Sequence, residues 1–372
     1  AVQELAQNAG YICSSCGAEL VSDGTVAVTT CPYCGNSAVA PGQLSGDFSP
    51  DLVIPFKLGR DDVMAALKDH YKGKILLPKS FVTGNHIDKV QGVYVPFWLY
   101  GARVAGEVYF DATNEAVTEE SDRTVTTTDH YDAYRKGNIS FERVPVDGSS
   151  KMPDGHMDAI EPFDYDALRP FSVAYMPGYI ANRYDEDCET CKARAERRME
   201  ESTISALRET VVDKYDDATV ESKQLDYTWE ENDYALFPVW MLSTSWNGKS
   251  YLFAMNGQTG RMVGELPCSK PKLAIASVLF FAIGFVLSQI LFMGENAFDP
   301  DYLTFDVEGI LINIVAPLII VIIADVLLVG QLKTANEATH ADCYCGELDL
   351  TEKHDTFSHT ETTVVMKDDK DD

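Results

Sequence analysis

At 372 residues, 45% of them hydrophobic and 24% charged, the chain is long enough to bury two or three cored domains. A formal net charge of −28 excludes long-range attraction to a polyanion, and nine unevenly spaced cysteines exclude a secreted disulfide scaffold.

The first element is "CSSCGAELVSDGTVAVTTCPYCG" (13–35). Cys13, Cys16, Cys31 and Cys34 offer four thiolates from two tight turns, which suits one structural Zn2+ in a closed tetrahedron; a disulfide framework is the competing reading. The intervening "ELVSDGTVAVTT" reads as two short strands around an Asp-Gly turn. Zinc ribbons often touch nucleic acid, but Lys57 is the first basic residue of the chain, so this ribbon has no cation to place against phosphate. A fold-stabilising cap or a protein-docking knob is expected instead. Because the chain opens on Ala1 rather than Met, the natural product is expected to begin further upstream.

Next comes an internal repeat. "VYVPFWLYGARVAGEVYFDA" (93–112) aligns without a gap on "ALFPVWMLSTSWNGKSYLFA" (235–254), matching Pro96 with Pro238, Trp98 with Trp240, Gly106 with Gly248 and Tyr109 with Tyr251. Each copy reads as a β-hairpin, turning at Ala105-Gly106 and at Asn247-Gly248. Helices are expected before each, over 60–73 with Val63, Leu67 and Tyr71 on one face, and over 186–212 with a stripe of Cys188, Cys191, Ala195, Met199 and Ala206. Trp98 and Trp240 read as core residues in preference to a ligand groove. The Pro- and Asp-rich stretch 151–170 reads as a connector.

Two apolar runs follow. Leu273–Met293 has no formal charge, and Ile310–Gly330 is interrupted only by Asp325. Both are long enough to cross a bilayer. Lys270, Lys272 and Lys333 flank the pair, while the loop between them holds five acids and no base, which places both ends in the cytoplasm. Asp325 meets no acidic or basic partner in the other span, favouring an interfacial or packing role over an ion path, and Pro317 is expected to kink its helix. The tail from 331 onward carries eleven acids against four lysines, yet its stretch 344–365 alternates enough for two short strands that fold back.

The expected fold class is therefore α+β: a small N-terminal zinc ribbon (1–40), a duplicated helix-plus-antiparallel-sheet module (41–150 and 171–266) joined by a connector (151–170), a two-helix transmembrane hairpin (267–333) and an acidic cytoplasmic tail (334–372).

Candidate chemistry is sparse. No HExxH, GxSxG, Walker or GxGxxG pattern occurs, and "DHYD" (129–132) and "DGSS" (147–150) are the nearest approaches to a catalytic cluster, the latter reading as a capped turn. No enzyme is expected. Cys188 and Cys191 form a CxxC that reads as a redox pair or metal clip, or as small core residues. With His340, Cys343 and Cys345 they offer donors for a second zinc, against a simply mobile tail. Cys268 beside the first span is a palmitoylation candidate or inert.

With "CPYCGN", "PGQLSGDFSPDLVIPFKL", "YKGKILLPKSF", "GVYVPFWLY", "FERVPVDGSSKM", "ALFPVWML" and "FAMNGQTG", the chain over about residues 10–265 resembles a family of zinc-ribbon membrane proteins of Gram-positive bacteria. Members are often described as carrying a transcription-factor-IIB-type zinc ribbon, or as primosomal-helicase-like, a label that follows cysteine spacing alone. Some are encoded beside stomatin-like (SPFH) and phage-shock-A-like proteins, so the resemblance implies anchoring of such assemblies at a stressed membrane. The function expected is a membrane-anchored interaction scaffold with the lipid bilayer and membrane-associated proteins as partners. The alternatives are a nucleic-acid-binding factor, disfavoured by charge, and an enzyme with an unrecognised site.

Overall fold

The structure is a computed structural model describing residues 9–12, 19–22, 26–30 and 37–39, by their backbone, together with 49–84, 90–176, 178–293, 314–333 and 340–366. Strands β1 (Ala9–Ile12) and β2 (Glu19–Ser22) pair with each other. The remaining strands are β3 (Val26–Thr30), β4 (Ser37–Val39), β5 (Leu52–Val53), β6 (Val90–Glu119), β7 (Arg123–Asp147), β8 (Arg169–Pro170), β9 (Ile180–Asn182), β10 (Asp217–Trp229), β11 (Asp233–Trp246), β12 (Lys249–Asn256), β13 (Met262–Gly264) and β14 (Asp349–Met366). All twelve belong to one mixed sheet. The helices are α1 (Arg60–Tyr71), α2 (Lys79–Gly84), α3 (Asp154–Ala159), α4 (Cys188–Val212), α5 (Lys270–Met293) and α6 (Ala316–Gly330).

That single sheet corrects the expected α+β architecture of two separate modules. The two copies of the repeat do not fold side by side; their first strands pair antiparallel with each other, β6 against β11, with Val95 opposite Phe237. Val95 and Phe237 are also equivalent positions of the repeat, so a local two-fold relation passes through this pair. The relation extends outward. β5 joins β11 in parallel (Leu52 to Ala235) and β9 joins β6 in parallel (Ile180 to Val93), so each short strand pairs with the other copy. α1 and α4 begin the same eight residues after Leu52 and Ile180, and they too cross over. Val63 of α1 packs on Trp240 and Met255 of the second copy, while Cys191, Ala195 and Met199 of α4 pack on Tyr100, Ala102 and Val104 of the first. A duplicated unit that exchanges a strand and a helix buries both copies in one core.

Sequence differences then break the symmetry. In the second copy Asn247 and Gly248 take φ of 49° and 75°, the left-handed pair that a two-residue hairpin needs, and β11 turns into β12 there as expected. In the first copy the expected turn at Ala105-Gly106 is absent: β6 runs straight through Gly106 and turns only after Glu119. Gly106 serves packing instead, because a Cβ there would lie 3.0–3.3 Å from Thr203 and Leu207 of α4 and Leu225 of β10. β6, β7, β10 and β14 thus extend beyond the two-fold core as a ribbon covered on one face by α4. Within the expected connector 151–170, α3 and the residues after it put Met157, Ile160 and Phe163 into the core against Phe97 and Phe237.

The expected two-helix transmembrane hairpin is corrected as well. Among the described residues one helix, Lys270–Leu291 within α5, is long and apolar enough to cross a membrane. Among the described residues α6 spans 15, fewer than a bilayer requires, and residues 310–313 of the expected second span lie outside the described residues. Ile275 and Val278 of α5 are 70% and 72% exposed, which a core helix of a soluble domain would not be. α5 and α6 pack together where Gly284 lets the backbone of Pro317 approach, and the Ser277 hydroxyl lies 2.7 Å from Asp325. Pro317 sits in the first turn of α6, where its missing N–H is harmless.

Candidate functional site

The chain returns from α6 to the sheet, and the site that receives it is polar and buried. α4 is fixed at its start by Asp187, whose carboxylate accepts from Thr190 N at 2.8 Å. One face of α4 then carries the apolar stripe Cys191, Ala195, Met199, and beside it Arg194 and Arg198, one turn apart. Arg198 is 3% exposed and forms a two-pronged pair with Glu161 at 3.1 and 2.7 Å. It also donates to the carbonyls of Pro145 and His340. Tyr344 donates to the same Glu161 at 2.8 Å, Ser202 bonds Asp342, and Ala341 N donates to Ser202 Oγ at 2.7 Å. Residues 340–344 are thereby plugged into α4, with Ala341 and Tyr344 completing the apolar cluster around Tyr100 and Met199. Burial pushes the Glu161 carboxyl up and Arg198 pulls it back.

Arg194 reaches Asp147 at 2.9 Å and Asp158 at 3.4 Å. Asp147 closes β7, is fully buried and leaves Oδ2 without a partner. Desolvation raises its pKa to about 7 even though Arg194 opposes the shift. Its place in the second copy is held by Asn256: Gly148 N donates to Pro96 O and Gly257 N to Pro238 O, at 2.9 and 2.8 Å. Asn256 is satisfied on both sides, donating to Ile160 and Pro162 carbonyls and accepting from Gln258 and Thr259 amides. The repeat therefore places a neutral amide on one side and a charge-bearing carboxyl on the other. The rest of "DGSS" is the expected turn, with Ser150 bonded to Asp185.

This network was missed in the sequence because its members lie on four separate elements; the available signal was an Arg pair at i, i+4 beside an apolar stripe. Cys188 and Cys191 head α4, and burial drives the Cys191 thiol up to about 12, away from thiolate chemistry. Cys343 and Cys345 line an open depression of about 400 Å³ with Glu142, Arg143 and Tyr165. Among the described residues no three of these four thiols converge on a point that would hold an ion.

Within the "DHYD" segment Tyr131 packs toward α4 beside Leu207 and Val211, so His130 faces the other side of the sheet. His130 Nδ1 is 2.9 Å from Asp111 on β6, and that hydrogen bond lifts the imidazole above its ordinary pKa. Asp129 points the other way along the strand and accepts from Thr360 of β14. His359 stands directly opposite His130, the two rings stacked with centroids 4.5 Å apart.

Cys13, Cys16, Cys31 and Cys34 lie outside the described residues. The strands flanking each CxxC do pair, β1 with β2 and β3 with β4. The expected pairing of 19–22 with 26–30 is not among the described ladders; β3 runs instead beside β4 and β9, which ties the N-terminal segment to the main sheet.

No family model matches the chain, and no solved structure matches it. A curated relative, the Uncharacterized protein YdjG of Bacillus subtilis (strain 168), is 34% identical over 255 residues, covering 67% of this chain and 74% of the relative. With that identity over that share of both chains, the protein belongs to the family of Bacillus subtilis YdjG.

Proposed function

We propose that the protein is a membrane-anchored scaffold, its sheet domain held at the cytoplasmic face of a membrane through the apolar helix α5. The observation that carries this reading is topological. β13 leads into α5, and the segment after α6 returns to the same sheet as β14, pairing with β7 along its length. Lys270, Lys272 and Lys333 at the sheet end of both helices support a cytoplasmic side. The anchor is rooted rather than tethered: Lys272 donates to the carbonyls of Ile75 and Leu77, and Leu266 N to Leu332 O. Leu273, Leu328 and Leu332 extend the cluster of Leu76, Phe81 and Leu242. Zinc at Cys13, Cys16, Cys31 and Cys34 belongs to this proposal, supported by the paired strands around each CxxC.

The partner class that fits is membrane-associated protein assemblies of the SPFH or phage-shock-A-like kind, implied by the family resemblance. A photo-crosslinking residue in place of Val364, exposed on β14, tests recruitment in native membranes. Crosslinks to proteins of that kind are expected, and they should vanish when 267–333 is deleted. Crosslinks to RNA or DNA, or none to membrane-associated proteins, would overturn the scaffold reading.

A further inference from the structure

On the open face of the ribbon formed by β6, β7 and β14, three side chains with no role in the tail-docking network converge. His130 projects from β7, His359 from the directly opposed position of β14, and Glu361 from the next position of β14 on the same face. Their ligand atoms all lie within 4.8 Å of one another. His359 Nε2 is 3.6 Å from Glu361 Oε1. Asp111 holds Nδ1 of His130 at 2.9 and 3.1 Å, which fixes the ring and leaves Nε2 with its lone pair outward, the carboxylate–histidine arrangement that supports metal-bound imidazoles.

We propose that His130, His359 and Glu361 form a binding site for a divalent transition-metal ion of the zinc class, and that this ion staples the C-terminal strand β14 to β7. Two imidazoles and one carboxylate are borderline donors that favour zinc over calcium or magnesium, which prefer all-oxygen sites. Zinc draws its ligand atoms to about 2.0–2.2 Å from the ion. The required closure falls on His359 and Glu361, whose side chains are 56% and 66% exposed and free to adjust. Three protein ligands leave a fourth position for water.

The staple has structural consequence because β14 is an edge strand with almost every side chain exposed. Its outer half is held to β7 mainly by main-chain pairing, far from the Arg198 plug. A metal bridging a directly opposed pair would add a cross-strand tie where burial adds none.

The test uses the untagged full-length chain in detergent, stripped of weakly held metal and titrated with zinc. The wild type is expected to take up one more ion, at micromolar zinc, than His359→Ala. Glu361→Gln should weaken that uptake at least tenfold. His354→Ala, an exposed histidine on the same strand, should leave it unchanged. Amide exchange in 356–364 should slow several-fold on adding zinc in the wild type alone. Equal uptake by wild type and His359→Ala, binding only at millimolar zinc, or exchange in β14 unaffected by zinc would each overturn the proposal. Any zinc taken up by Cys13, Cys16, Cys31 and Cys34 is common to all four proteins and cancels in the comparison.

Discussion

Replacing Arg198 by alanine is expected to destabilise the protein by roughly 3–5 kcal/mol, the usual cost of stranding one member of a buried ion pair. Glu161 would be left 6% exposed with only the Tyr344 hydroxyl to face its charge, and the carbonyls of Pro145 and His340 would lose their donor. Because those bonds hold residues 340–344, the same substitution should loosen β14, seen as faster amide exchange there. Asp147→Asn in the same network should act in the opposite direction above neutral pH. The folded carboxyl keeps its proton up to about pH 7 whereas its ordinary value is 3.8, so the folded state binds a proton that the unfolded chain has released. Stability therefore falls as pH rises between those values, by about 1.4 kcal/mol per pH unit at most. Asparagine, the residue the second copy already uses, removes that slope. Denaturant unfolding between pH 4 and 8 checks both; an unchanged pH profile in Asp147→Asn, or an Arg198→Ala cost below about 1 kcal/mol, would show the network to be solvated.

Trp98→Ala and Trp240→Ala are each expected to cost roughly 3–5 kcal/mol, the range for emptying a packed aromatic site. The two should behave alike because the exchange of helices gives them the same task. Trp98 donates its indole N–H to Glu186 O and Trp240 to Leu58 O, both at 3.0 Å, and each acceptor lies two residues before the other copy's helix. Their ring neighbours match as well: Tyr184 beside Trp98, Phe56 beside Trp240. Trp240 is 8% exposed and Trp98 half-buried, so the Trp98 variant should fall at the lower end. Phenylalanine at either position keeps most of the packing and strands one carbonyl, for a cost of about 1–3 kcal/mol. A full penalty at one position with none at the other would mean that the two copies are not structurally equivalent.

The repeat itself, its strands, α1, α4 and the Asn247-Gly248 turn were legible because each is written in local pattern: a recurring Pro-x-Trp, an i, i+4 stripe, and a dipeptide that tolerates positive φ. The exchange was not. Nothing local distinguishes a strand that pairs within its own copy from one that pairs with its equivalent, since both bury the same alternating face. Gly106 misled for a related reason. Aligned with the turn glycine Gly248, it reads as a turn, but in β6 its lack of a side chain admits Thr203 and Leu207 of a helix nearly one hundred residues away. The docking network was illegible too, because Asp147, Glu161, Arg198 and Tyr344 meet only through the finished fold.

The proposal that the chain leaves one sheet, enters the membrane and returns to that same sheet is tested most directly by thiol accessibility in intact cells. Native Cys343 is exposed on the returned segment. It should resist a membrane-impermeant maleimide in intact cells and react fully after lysis. Labelling of Cys343 from outside would contradict the account.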